Sequence, residues 1–114
     1  MSLSCLFCRI AKREIPAEFL EETDDFVAFK DTNPQAPQHI LIIPREHIGS
    51  LSDAADSHAP LLGRGLMLAP KLAKRFGLET GFRVVINSGA QAGQTVFHLH
   101  IHVLGGRTFR WPPG

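Results

Sequence analysis

Histidine occupies every second position in the run Phe97-His98-Leu99-His100-Ile101-His102-Val103-Leu104. Side chains on a β-strand alternate between its two faces. The run therefore reads as a strand with His98, His100 and His102 on one face and Leu99, Ile101 and Val103 on the other, turned into apolar packing. Half of the chain's six histidines stand in this row. An imidazole titrates near neutral pH, ligates metals and can act as a nucleophile. Chemistry and metal binding are thus the two natural uses of the row, and the alternation alone leaves both open.

At 114 residues the chain is expected to form a single domain over 1–114, long enough to bury a real core. Its 44% hydrophobic and 20% charged content fits an ordinary globular protein. A net charge of +1 gives no global field to recruit nucleic acid or an anionic membrane, so neither is expected as a partner. A phosphate ligand must then be held by local groups. No apolar run reaches the roughly 18 residues of a membrane span. The opening Met1-Ser2-Leu3-Ser4-Cys5 lacks a basic region followed by an apolar stretch, so no signal peptide is expected and the location is read as cytoplasmic. In that reducing compartment Cys5 and Cys8 are thiols or metal ligands rather than a structural disulfide.

The element order is read from periodicity and punctuation. Residues 5–12 suit a short helix with Leu6, Phe7 and Ile10 as its apolar patch, ended by Pro16. Glu18–Glu22 and Asp25–Phe29 suit a hairpin about Thr23-Asp24. Asp31–Pro37 is a loop, since Asn-Pro and two prolines oppose regular structure. His39–Ile43 is an apolar β-branched strand closed by Pro44. Ser57–Gly77 is the one long helix, its stripe Leu62, Leu66, Ala69, Ala73 and Phe76, with Pro60 in the first turn, a kink expected at Pro70 and Gly77 as the cap. Phe82–Asn87 is a strand. A glycine-rich loop, Ser88–Gln94, joins it to the histidine strand, and so short a loop implies antiparallel pairing. The sum is an α+β meander sheet of about five strands, with the long helix covering one face.

The loop matters for chemistry. Gly89 and Gly93 permit close approach, and backbone N–H groups of such a loop can ring an anion. Asn87, Gln94 and Thr95 flank it with donors. Phosphorus-centred transfer uses all these parts together: a neutral imidazole attacks phosphorus, and loop amides with neighbouring imidazoles stabilise the equatorial oxygens.

The pattern resembles the histidine triad (HIT) superfamily, whose signature is His-φ-His-φ-His-φ-φ, with φ apolar. Here it reads His98-Leu-His100-Ile-His102-Val-Leu. Ala28–Asp31, Pro34–His39, Ile43-Pro44, Val85–Asn87 and Gly93–Val96 resemble the family's other blocks. The ending Val103–Arg107 and Trp111–Gly114 is similar to the histidine triad nucleotide-binding branch rather than the dinucleoside polyphosphate hydrolases. The resemblance implies His100 as nucleophile on the α-phosphorus of a purine nucleoside phosphoramidate. It implies phosphate contacts from His102, Asn87, Gly93, Thr95 and Val96, with the Thr95 hydroxyl near the leaving group. His39 is expected behind His100, and a backbone carbonyl is expected to fix the nucleophile's tautomer. Asp31 is expected on the ribose, and Leu6, Phe7, Ile10 and Phe29 about the purine. A homodimer with a continuous sheet is implied, with Trp111 reaching the partner's site.

Two departures stand out. Thr95 replaces the serine of the animal members, and its β-branch restricts the hydroxyl. Cys5-Leu-Phe-Cys8 instead resembles the zinc-binding bacterial members, whose other ligands match His47 and His98. A closed Cys₂His₂ shell would be structural, pinning the N-terminal segment to the sheet. No organic cofactor is expected. The resulting expectation is an adenosine 5′-monophosphoramidase type of hydrolase working through a nucleotidyl-histidine. A dinucleoside polyphosphate hydrolase and a purine-nucleotide-binding scaffold (AMP or GMP) are the alternatives. A metal site using all three histidines is disfavoured, because no carboxylate lies near the row in sequence.

Overall fold

The computed structural model describes residues 4–114, so the Met1–Leu3 part of the N-terminal reading lies outside the described residues. The elements in chain order are α1 (Leu6–Ala11), β1 (Phe19–Glu22), β2 (Phe26–Lys30), β3 (Gln38–Pro44), α2 (Ala59–Arg75), β4 (Phe82–Val85) and β5 (Ile101–Gly105), with short 3₁₀ turns between. One antiparallel sheet of five strands has the order β1-β2-β3-β5-β4. The meander is interrupted once, where β5 inserts between β3 and β4.

Both faces of the central strands are covered, which is why β2 and β3 read as apolar runs instead of alternating. Phe26, Ala28, Ile40, Ile42, Ile101 and Val103 face α2 and pack on Leu68, Ala69 and Leu72. Val27, Phe29, Leu41 and Ile43 face the other way, onto Phe7, Ile10 and Ala11 of α1. Six residues are too few for a helix to stand alone in water, so α1 exists through this packing. At its C-terminal end Arg45 Nη1 donates to Ala11 O at 3.3 Å and Nε to Thr23 O at 3.1 Å, tying the helix to the hairpin.

The buried stripe of α2 is Gly65, Leu68, Ala69, Leu72 and Ala73, with Leu61 and Phe76 partly buried against it. This corrects the stripe drawn through Leu66, which is 46% exposed. A glycine is the contact point, and an apolar count misses it. A Cβ at Gly65 would lie 2.5 Å from Phe26 Cζ, so the bare backbone sets the helix's approach to β2. The helix runs through Pro70 and closes at Gly77, whose φ of 74° allows Leu78 N–H to reach Ala73 O at 2.7 Å. Gly65→Ala is expected to destabilise the chain. Overpacking costs about 1–3 kcal/mol, against a gain of about 1 kcal/mol in helix propensity. Urea denaturation should show a net loss, and a gain in stability would contradict the close approach.

The last two strands are shorter than their sequence suggests. β4 ends at Val85 and not Asn87, and β5 begins only at Ile101. His98 and His100 precede the ladder, because Leu99 N–H donates to Ile48 O at 2.6 Å instead of joining β4. The alternation survives this departure. Leu99, Ile101 and Val103 are buried, while His100 and His102 face the α1 side.

Candidate active site and metal centre

The face of the sheet opposite α2 carries a cavity of about 690 Å³ between α1 and the β2–β3–β5 surface. Leu6, Phe7, Ile10, Phe29, Asp31, Thr95, Val96, His100 and His102 line it, joined by Ile15, Ala17 and Leu41. Partners that can only donate or only accept assign the tautomers of His98, His100 and His39, and that of His102 follows from His39. His98 Nε2 lies 2.8 Å from Pro44 O, so Nε2 carries the proton and Nδ1 keeps its lone pair. His100 Nδ1 donates to His98 O at 2.7 Å, which leaves Nε2 of His100 unprotonated. Gln35 N–H donates to His39 Nδ1 at 3.0 Å, so Nε2 of His39 carries the proton. That proton points at His102 Nδ1, 2.8 Å away, with Asp31 Oδ2 at 3.4 Å. His102 must then hold its own proton on Nε2. This atom is buried and has no hydrogen-bond partner among the described residues. A buried donor left unpaired costs about 1–3 kcal/mol, so it marks the place of a missing acceptor.

Charge state supports the same picture. Burial pulls His102 down from 6.5 to about 4, helped by the neighbouring His100 and His39 and opposed by Asp31. Burial also lowers His39, against the pull of Asp31. A neutral His102 is a hydrogen-bond donor that carries no charge. The unfolded chain takes up this proton first as pH falls, because the folded value is the lower one. The stability is therefore present above about pH 6.5 and is lost as pH drops toward about 4. Each unit of depression is about 1.4 kcal/mol, so the His102 share is on the order of 2 kcal/mol after partial solvent screening. Urea midpoints measured from pH 7 to 4.5 should fall, and less steeply in His102→Gln. Equal slopes in both proteins would contradict the assignment.

Behind the cavity wall, Cys5, Cys8, His47 and His98 bring four ligand atoms within 4.8 Å of one another. Cys8 Sγ is 3.2 Å from His47 Nδ1 and 3.5 Å from His98 Nδ1. Cys5 Sγ is 3.4 Å from His98 Nδ1, and the two Nδ1 atoms are 3.2 Å apart. Tetrahedral zinc, with bonds of about 2.3 Å to sulfur and about 2.0–2.1 Å to nitrogen, spaces such donors about 3.3–3.8 Å apart. The cluster fits zinc in spacing and in donor chemistry. His98 Nδ1 presents a lone pair, since Nε2–H is fixed on Pro44 O, and burial holds this ring neutral with a pKa of about 4. Burial and the adjacent Cys5 push the Cys8 thiol up to about 11, so its thiolate form requires a cation beside it.

A HIT domain model matches residues 12–109. The chain belongs to the HIT domain family. This HIT domain is 51% identical over 114 residues to an uncharacterized HIT-like protein of Synechocystis sp., covering 100% of both chains. It is 49% identical over 111 residues to a 14 kDa zinc-binding protein of Zea mays, covering 96% of this chain and 87% of the other. The crystal structure of a HIT family hydrolase from Legionella pneumophila superposes with a TM-score of 0.95 at 48% identity, covering 97% of this chain and 100% of that one.

Within this HIT domain the structure gathers most of the residues singled out from sequence, with corrections. His39 hydrogen-bonds His102. In the β3–β5 register it lies opposite Leu104, which makes His102 its diagonal neighbour on the same face. Asn87 and Gly93 do not line the cavity. Gly93 turns the loop with a φ of 97°, and Trp111 is 82% exposed. Gln94 binds its own loop: Oε1 accepts from Gly89 N–H at 2.8 Å, and Nε2 donates to Gly49 O at 2.8 Å and Val96 O at 3.1 Å. Leu41 was missed, though its position two residues after His39 places it on the same strand face. Ile15 and Ala17 lie in a connection and carry no sequence signal.

Proposed function

We propose that this HIT domain hydrolyses purine nucleoside 5′-phosphoramidates to the nucleoside monophosphate and an amine. One observation supports the reading most: His98 O holds the His100 Nδ1–H, so Nε2 is the nucleophilic atom, next to the unpartnered Nε2–H of His102. In the first step His100 Nε2 would form a bond to the α-phosphorus as the P–N bond breaks. The leaving nitrogen would take up a proton from solvent, with the Thr95 hydroxyl as the relay. Nε2–H of His102 would donate to a non-bridging oxygen, where charge develops. In the second step water would attack phosphorus as the nucleotidyl–Nε2 bond breaks, its proton passing to solvent, and His100 would return neutral. Asp31 offers two acceptors to the ribose hydroxyls, and Leu6, Phe7, Ile10 and Phe29 offer the purine an apolar slot. Cys5, Cys8, His47 and His98 would hold zinc, whose closed shell supplies structure and no open position for water. The assay is turnover of adenosine 5′-phosphoramidate against diadenosine polyphosphate. A preference for the latter would contradict the substrate class, and AMP binding without turnover of either would favour the scaffold alternative.

The same reading includes a homodimer with the sheet continued across the interface and Trp111 acting on the partner's cavity. The tail supports it through a contrast. Phe109 is packed between Arg83, 5.0 Å from its centroid, and Arg107 at 4.2 Å, whereas Trp111 is 82% exposed. A large indole left in water on a tail anchored by its neighbour calls for a surface to cover. Deleting residues 110–114 should change relative kcat/KM across a series of leaving amines without abolishing turnover. An unchanged series, or a fully active monomer by sedimentation, would remove the trans role.

A further inference from the structure

The metal ligands and the cavity wall are the same piece of chain. Leu6 and Phe7 lie between the two thiols, Ile10 lies one turn on, and all three line the cavity. The Phe7 ring stands edge-on to His100 at 5.1 Å, to His98 at 6.0 Å and to Phe29 at 5.8 Å. His98 makes a second link. Its Nδ1 faces both sulfurs and His47, while its carbonyl holds the Nδ1–H of His100. We propose that Cys5, Cys8, His47 and His98 are positioning residues for the nucleotide site: their metal occupancy sets the base-binding wall through Phe7 and the orientation of His100 through the His98 carbonyl. The proposal rests on the nucleotide reading of the cavity and extends the metal's role beyond fastening the N-terminal segment.

The physical case is one of support. α1 has six residues and cannot hold its own geometry. Arg45 fastens its C-terminal end, and the cysteine–histidine cluster fastens its N-terminal end. Emptying the cluster frees the turn that carries Leu6 and Phe7 and releases the His98 ring, so the wall must be ordered anew when a nucleotide binds. Linkage makes the effect reciprocal: if metal tightens nucleotide binding by some factor, nucleotide tightens metal binding by the same factor.

Two experiments decide it, both using AMP as the probe. Calorimetry on the zinc-loaded protein, the chelator-stripped protein and Cys5→Ser/Cys8→Ser should show AMP binding weakened at least about tenfold in the last two. Zinc should restore the stripped wild type and not the variant. Leu72→Ala, on the far side of the sheet, lowers stability with the cluster intact and should bind AMP as wild type does. Should the stripped forms unfold, the second experiment uses the loaded protein. Cobalt(II), which accepts the same tetrahedral thiolate and imidazole donors, reports the ligands by its absorption bands. Saturating AMP should shift those bands and raise the chelator concentration needed to remove the ion. AMP that binds equally well with and without metal, or that binds the cobalt form without changing bands or retention, would overturn the coupling. A zinc-loaded wild type that does not bind AMP would overturn the nucleotide reading and the coupling with it.

Discussion

His100→Ala is expected to lose more than about four orders of magnitude in phosphoramidate turnover, on the order of 5.5 kcal/mol of barrier, and to retain AMP binding within about threefold, well under 1.4 kcal/mol. The split follows from the geometry. The His98 carbonyl accepts from Nδ1–H of His100, so in the neutral ring the free lone pair is on Nε2, whereas Nδ1 of the neighbouring His102 is taken by His39. In the proposed reading, binding is distributed over Asp31, the donor of His102 and an apolar slot, none of which the substitution removes. His102→Gln should behave differently. Loss of one aligned donor costs about 10²–10³ in kcat when that donor serves a developing oxyanion, so this variant should keep measurable turnover. Steady-state kinetics with calorimetry on both variants makes the comparison. His100→Ala turning over within about tenfold of wild type would exclude it as nucleophile.

Protein purified without chelator is expected to carry close to one zinc per chain, and Cys5→Ser/Cys8→Ser to carry none. The four donors are already spaced for tetrahedral coordination in the fold, so binding energy adds to folding energy with little reorganisation. Loss of roughly 3–5 kcal/mol on emptying the site would lower Tm by about 10–20 °C in a chain of this size. Metal analysis and calorimetric melting test both parts. A metal-free wild type, or a double variant with unchanged zinc, would refute the site. Wild-type zinc that is bound yet leaves Tm unchanged on removal would refute its structural role.

The histidine alternation correctly forecast which side chains share the α1 face, because the period of two persists through His98 and His100 although neither lies within β5. Strand limits were less legible. Whether Asn87 stays in a ladder depends on Leu99 N–H bonding Ile48 O, a contact fifty-one residues away in sequence that no local pattern carries. The partner of His39 was not legible for a similar reason: it is set by register between β3 and β5. The α2 stripe slipped by one residue because Gly65 contributes closeness and not hydrophobicity. The metal set was legible from Cys-x-x-Cys only together with the resemblance that named His47 and His98. Nothing in the spacing of Cys5 and Cys8 shows that the residues between and beyond them are a cavity wall.

The central claim is a covalent bond between the nucleotide and one ring nitrogen. Rapid acid quench after mixing with adenosine 5′-phosphoramidate, followed by intact and peptide mass spectrometry, tests it most directly. The account predicts one adenylyl group per chain, on the peptide that contains His100, absent from His100→Ala and still present when His102 is replaced by Gln. Turnover with no adduct at any quench time in the His102→Gln protein, where hydrolysis of the intermediate is slowed, or an adduct on a residue other than His100, would contradict it.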